Sequence, residues 1–181
     1  FKGITRERLG KMGLQWPVQE DGTDTKILHE KEFKLGKGRL KYFHWKESAE
    51  ISENKKEYPL ILTTSRVLQH YNAATMTRRT NNIDIVDEDI LLVHPNDAKY
   101  RELNTGDIAR LYSGRGEVAL KVEVTDKVKE GIVFTTFHFP EHMVNMVTGY
   151  GKDEETKCAE YKISSVEVQK ISNKFKTDHY P

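Results

Sequence analysis

Residues 107–125, DIARLYSGRGEVALKVEVT, carry two alternating runs separated by Ser113-Gly114-Arg115-Gly116, and this pattern decides the fold. Ile108, Arg110 and Tyr112 recur at every second position before the turn, and Val118, Leu120, Val122 and Val124 do so after it. A period of two marks strands with one covered face, and glycines in a short connection offer positive φ, so the stretch reads as a β-hairpin.

Outward from this hairpin the same period recurs in short pieces. Strands are expected at 60–64, 90–94, 107–113, 117–125, 131–136 and 162–170. Pro95 suits a first helical position and Asn104-Thr105-Gly106 a stop, which places a short helix over 95–103. Six short strands, small helices and tight turns predict a mainly β protein closed into a barrel, because closure removes unpaired edges. No internal repeat or low-complexity tract interrupts the pattern.

Composition narrows the function. The chain has 29 basic and 28 acidic side chains, a net charge of +1, so no global field favours nucleic acid or an anionic membrane, and any anion binding must be local. The single Cys158 excludes an internal disulfide framework, an iron–sulfur cluster and a paired-cysteine zinc site, and reads as an ordinary reduced thiol. No apolar run approaches the roughly 18 residues a bilayer span needs, and no signal peptide is visible, so no membrane insertion and a cytoplasmic setting are expected, with export of a longer parent left open. The start at Phe1 reads as a piece of a longer protein.

Three parts follow from the composition shift near residue 57. Residues 1–57 carry two Trp, many charges and the breakers Pro17, Gly22, Gly36 and Gly38, with one short amphipathic helix expected from Ile4 to Leu14 (Ile4, Arg8, Leu9, Met12). This irregular N-terminal segment ends in a polar connector, SAEISENKKEYP at 48–59, and cannot bury a core of its own. Its aromatics Trp16, Tyr42, Phe43 and Trp45 read as anchors onto a neighbouring domain. The barrel occupies 58–171, and 172–181 form a C-terminal tail.

The stretch Thr63–Thr80, TTSRVLQHYNAATMTRRT, follows the first strand directly and is rich in hydroxyls, amides and Arg. Arg66, Arg78 and Arg79 offer planar forks of donors to phosphate oxygens, and Ser65, Thr75 and Thr77 can complete a cradle. The same composition also fits a solvated loop.

Two other motifs invite assignment. His138-Phe139-Pro140-Glu141-His142 matches the H-x-x-E-H zinc-peptidase pattern, but Pro140 would disrupt the helix that must align the two His, so a loop with His138 near the core or a ligand is expected. The acidic run DIVDED at 84–89 reads as a solvated loop. No Walker or GxGxxG fingerprint occurs, so ATP or NAD binding has no support.

Ordered blocks carry a resemblance: YPLILTTSRVLQHYNAATMTRRT at 58–80, the stretch 91–139 from LLVHPND to FTTFHF, NMVT at 145–148 and AEYK at 159–162. Tyr58 to Ile171 resembles the molybdopterin-dinucleotide-binding C-terminal domain of the large subunit of molybdenum or tungsten oxidoreductases, most closely that of formate dehydrogenases. GLQWP at 13–17, ILHEKEF at 27–33 and GKGRLKYF at 36–43 resemble the segment preceding that domain.

The resemblance implies a six-stranded double-psi β-barrel that helps to hold bis-molybdopterin guanine dinucleotide carrying Mo or W. It also implies iron–sulfur clusters in domains outside this chain, and as partners the remaining domains of the same subunit and electron-transfer subunits. By the same likeness Thr64, Arg66, His70, Asn72, Thr75, Met76 and Thr77 match the cofactor loop, Asn145 an Asn-x-Leu-Thr block, and Tyr161 and Lys162 a Tyr-Lys pair beside the cofactor. Ala74 stands where such enzymes commonly have Gly, and Val147 where they have Leu. The family's metal ligand and catalytic His and Arg have no match here, so no catalytic or metal-binding residue is assigned, and the piece alone should be inactive in formate oxidation. The alternatives are a cofactor-free barrel serving as an interaction module, or the same domain in a related pterin enzyme such as a nitrate reductase.

Overall fold

The computed structural model describes residues 2–10, 13–42, 44–153 and 155–171. The chain forms two compact units, Phe1–Trp45 and Lys46–Pro181. The tail expected at 172–181 lies outside the described residues, as do Met12 and Phe43.

In the first unit one short helix, α1 (Arg6–Leu9), is capped where Thr5 Oγ1 accepts the Arg8 N–H at 3.3 Å. Gly10, at φ 45°, ends it, well short of the expected Leu14. The Arg8 guanidinium donates to the carbonyls of Gly3 and Asp21, both at 3.0 Å, which holds the segment in place of an apolar core. Leu35 and Leu40 are 98% and 104% exposed, and Trp16, Tyr42 and Trp45 are exposed too, so this unit leaves much apolar surface uncovered.

The second unit contains α2 (Ala49–Asn54), α3 (Pro95–Tyr100) and six strands: β1 (Leu60–Ser65), β2 (Ile90–Val93), β3 (Ile108–Ser113), β4 (Gly116–Val124), β5 (Ile132–Thr136) and β6 (Ser164–Lys170). They close into a barrel in the order β1-β5-β2-β4-β3-β6. β1 and β5 run parallel, as do β2 and β4, while every other neighbouring pair is antiparallel. This is the closed six-stranded barrel the sequence predicts and the double-psi barrel the resemblance implies, with strand ends displaced by a residue or two. The bounds of the first unit place α2, expected as part of a connector, in the same unit as the barrel.

Alternation explains the core. On β4, Val118, Leu120 and Val122 point inward between Glu117, Ala119 and Lys121. They join Leu62, Leu91, Val93, Leu111, Val133 and Val166, each 0% exposed, in one cluster. On β3 the buried row is Ala109, Leu111 and Ser113, so Ile108, Arg110 and Tyr112 form the outer face. The hairpin closes at Ser113 paired with Gly116. Neither Gly114 nor Gly116 takes the positive φ expected of it, and Gly116 is instead needed for space, since a Cβ there would lie 2.9 Å from the Met146 carbonyl oxygen.

Register fixes what lies at each end. Ser65 pairs with Thr136, Leu62 with Ser164, and Leu92 with Phe134. The chain leaving β1, the chain leaving β5, the approach to β2 and the approach to β6 therefore meet at one end, and the parallel β2/β4 pairing brings the β3–β4 turn there as well. The other end carries α3. His94 Nδ1 accepts the Asn96 N–H at 3.3 Å and Pro95 occupies the first turn. Just past α3, Arg101 clasps Glu167 of β6 through Nε to Oε1 at 2.6 Å and Nη2 to Oε2 at 3.1 Å. Arg101 also lies 3.6 Å from Asp97, whose Oδ2 accepts the Gly131 N–H at 2.7 Å ahead of β5.

Candidate functional site

The loop after β1 is organised from within by two histidines. His70 is 4% exposed, with Nε2 at 2.7 Å from the Val86 carbonyl and Nδ1 at 2.8 Å from Thr77 Oγ1. A carbonyl only accepts, so Nε2 carries the hydrogen and Nδ1 accepts from the Thr77 hydroxyl, which itself accepts the Tyr71 N–H at 3.4 Å. His138, 0% exposed, has the opposite arrangement. Its Nε2 accepts the Val67 N–H at 3.0 Å, so Nδ1–H donates to the Asn72 carbonyl at 2.6 Å. The two rings lie 5.6 Å apart and tie residues 67–77 to the end of β5.

Two loop residues adopt left-handed backbone, Asn72 at φ 49° and Ala74 at φ 54°. Asn is tolerant there and Ala is not. Ala74 is also 0% exposed. Ala74→Gly is expected to leave stability within about 1 kcal/mol, because relief of the backbone offsets lost entropy and packing. Ala74→Val should cost about 2 kcal/mol or more by adding a branched side chain to a buried left-handed position. Urea denaturation of both variants checks this, and an unperturbed Val variant would contradict the geometry.

Above this scaffold stand the groups that face outward. Arg66 directs Nε and Nη2 to Asn72 Oδ1 at 3.1 and 2.7 Å, which leaves Nη1 available. Its guanidinium lies 5.4 Å from the Phe137 ring centroid, and the Lys162 ammonium lies at the same 5.4 Å. Lys162 donates to the Thr64 carbonyl, and Thr64 Oγ1 donates to the Tyr161 carbonyl at 3.3 Å, which joins the approach to β6 to the end of β1. Desolvation, and after it the nearby Arg66 charge, hold the Lys162 ammonium below its usual pKa. Among the described residues no carboxylate pairs with either cation. Two like charges gathered on one ring without a counter-ion form a donor set suited to phosphate oxygens.

Thr64, Arg66, His70, Asn72, Thr77, Tyr161 and Lys162 are thus joined through hydrogen bonds and ring contacts, while Thr75 and Met76 sit exposed on the outer turn of the loop. His70 and Thr77 spend their polar atoms on holding the loop. Arg78 forks onto Glu141 at 3.1 and 2.8 Å and so is engaged within the protein, whereas Arg79 is exposed. Asn145 is exposed on the short turn Val144–Val147, and no hydrogen bond among the described residues links it to the Arg66 group.

Asp84 and Asp87 are exposed, as a solvated loop at 84–89 requires, but Asp89 is not. It is 0% exposed and accepts from the Thr136 hydroxyl, from the His138 N–H at 3.0 Å and from the Phe139 N–H at 3.1 Å. Burial pushes its carboxyl pKa upward, but the bonds from His142, Thr136 and the two amides outweigh burial and leave it below the ordinary value. His142 Nδ1 lies 3.5 Å from Oδ2 and also 3.3 Å from the Asp89 N–H. A ring nitrogen accepting the amide hydrogen has none to give the carboxylate, so the two contacts belong to alternative placements of the hydrogen at Nδ1. His138 and His142 therefore serve the protein's own backbone, and among the described residues no group of side chains is arranged to hold a metal ion.

The fold and this end together define a class, a closed six-stranded barrel whose converging loops gather amides, hydroxyls and two cations that pair with no carboxylate among the described residues. Residues 60–165 match the family described as Molydopterin dinucleotide binding domain, and the chain belongs to that family. It is 39% identical over 175 residues to the F420-dependent formate dehydrogenase subunit alpha of Methanocaldococcus jannaschii, covering 94% of this chain and 26% of that protein. The F420-dependent formate dehydrogenase 2 subunit alpha of Methanococcus maripaludis is likewise 39% identical over 175 residues, with the same coverage. The chain thus spans about a quarter of the length of these relatives. Acetylene hydratase from Pelobacter acetylenicus shares the fold, with a TM-score of 0.60 at 21% identity over 72% of this chain and 21% of that one. The unneutralised Arg66–Lys162 pair fits the molybdopterin dinucleotide that the family name implies.

Proposed function

We propose that this chain is the cofactor-retaining domain of a formate dehydrogenase alpha subunit and binds bis-molybdopterin guanine dinucleotide through the barrel end described above. The observation that carries the proposal is the pair of cations, Arg66 and Lys162, held on Phe137 and paired with no carboxylate among the described residues. Arg66 Nη1 and Lys162 would hold pyrophosphate oxygens, and Asn72, Thr75 and Asn145 supply amide and hydroxyl groups for the purine and pterin edges. Met76 and Tyr161 add apolar and aromatic cover, and Thr64, His70 and Thr77 keep the loop in place. When bound in the intact enzyme, the cofactor with its molybdenum or tungsten supplies the two-electron redox centre that takes formate to carbon dioxide and a proton.

The domain bounds proposed are 58–171 for the barrel, with 1–57 belonging to the preceding part of the subunit and 172–181 to a tail. Metal ligation, iron–sulfur clusters and electron-transfer partners fall to the rest of the enzyme, in a cytoplasmic setting. Among the described residues no helix is long and apolar enough to cross a membrane.

The test is pterin content of the full-length parent against its Arg66→Ala, Lys162→Ala double variant, measured as the nucleotide released on denaturation. Loss of two charge-assisted contacts is expected to lower retained pterin about tenfold or more while the protein stays folded. A parent devoid of pterin, or a double variant that retains all of it, would overturn the assignment and favour an interaction module.

A further inference from the structure

Glu50 lies outside the stretch that matches the family, yet it is bound into the ligand-bearing end of the barrel. It sits on α2, and its side chain and that of Arg115 at the β3–β4 turn are 11% and 15% exposed. Arg115 Nη2 meets Glu50 Oε1 at 2.5 Å and Nη1 meets Oε2 at 3.3 Å, a two-pronged pair. Oε1 also accepts the Ser165 N–H at 2.9 Å, and the Glu50 carbonyl accepts the Ser165 hydroxyl at 2.9 Å, which ties α2 to the start of β6.

The same pair reaches the turn that carries Asn145. Arg115 Nη2 donates to the Val147 carbonyl at 3.5 Å, and its guanidinium stands 5.9 Å from the Tyr150 ring centroid. Two glycines let the backbones close in. A Cβ on Gly149 would lie 3.3 Å from the Glu50 carboxylate, and one on Gly116 would lie 2.9 Å from the Met146 carbonyl. Ser164 Oγ accepts the Gly149 N–H at 2.9 Å and closes the far side. Segment 144–150 is thus held by α2, by the hairpin turn and by the approach to β6, with the Glu50–Arg115 pair at the meeting point. Arg115 Nε, buried with no hydrogen-bond partner, gives the guanidinium little alternative once Glu50 is gone.

We infer that Glu50 and Arg115 are positioning residues whose buried pair sets the place of segment 144–150, and with it Asn145, at the ligand-bearing end. A buried carboxylate and guanidinium cost more to separate than to keep, so the pair favours one arrangement of the three segments that meet at it. The part concerning Asn145 and cofactor rests on the function proposed above; the part concerning the segment does not.

The experiment is hydrogen exchange and pterin content on the full-length parent carrying Glu50→Ala, Glu50→Gln or Arg115→Lys. In Glu50→Ala, amides of 144–150 should exchange about tenfold faster or more while those of β3, β4 and β6 keep their protection, and retained pterin should fall. Glu50→Gln, which keeps the acceptor for Ser165, should restore part of both. Unchanged exchange at 144–150, or faster exchange spread evenly over the barrel, would overturn the inference. If Glu50→Ala does not fold, Gly149→Ala, which presses on the same carboxylate, replaces it with the same expected local signature. A wild-type parent without pterin would overturn the proposed function, and the exchange result would still decide the role of the pair.

Discussion

Asp89→Ala is expected to lower the stability of the barrel by about 3–5 kcal/mol, the largest effect of any single change considered. The carboxylate is wholly buried and satisfies a hydroxyl and two amides at the end of β5. Its removal leaves the His138 and Phe139 N–H groups and the Thr136 hydroxyl inside the protein without the acceptor they share. Because His138 also accepts the Val67 N–H, the damage spreads to the loop after β1. Asp89→Asn, which keeps one acceptor and much of the volume, should cost less than half as much.

The depressed pKa of Asp89 fixes the sign of a pH effect. A carboxyl whose folded pKa lies below its unfolded value contributes stability that is fully present above the unfolded value of about 3.9 and disappears as pH falls through the folded value. Wild-type protein should therefore lose denaturation free energy on acidification below about pH 4 more steeply than Asp89→Asn. Denaturant titrations across that range would show the two curves converging at low pH, and parallel curves would mean that Asp89 is not a source of the acid sensitivity.

The second large effect is expected at the opposite end of the barrel. Arg101→Ala should cost about 3 kcal/mol, because it strands Glu167 and Asp97, whose side chains are 20% and 11% exposed, as neighbouring carboxylates with no cation. Asp97 still has the Gly131 N–H, while Glu167 loses both bonds to the guanidinium. Arg101→Lys would keep the charge and lose the fork, so it should recover only part of the loss. Thermal denaturation of the two variants checks the ranking, and an Ala variant as stable as the Lys variant would mean that the fork contributes nothing.

The barrel was legible because its evidence is local. Alternation over 116–124, the two-glycine turn and the proline opening α3 each depend on neighbours in sequence, and each appears where expected. The outer row of β3 was harder to read, since Ile108 looks like a core residue until Leu111 and Ala109 fill the inside. The loop after β1 was legible as a polar stretch following a strand, but the division of labour within it was not. His70 and Thr77 turn inward and Arg66 outward, and only their partners Val86 and Phe137, far along the chain, decide that. Asp89 was misread as solvated for the same reason, because a carboxylate that receives amides some 50 residues away leaves no mark in the acidic run around it. Glu50 and Arg115, 65 residues apart, gave no signal at all beyond their charges.

The parallel pairing of β1 with β5 bears on how the molecule is made. Among the described residues β1 pairs with β5 and β6, both encoded more than 60 residues later, whereas β3 and β4 are joined by a tight turn. On a growing chain the β3–β4 hairpin can form at once, but β1 must wait, unpaired and apolar, until residue 132 and beyond have been synthesised. Residues 66–80 wait with it, since their anchor His138 follows β5. The barrel end that carries Arg66 therefore takes shape only after the residues of β5 and His138 have been made.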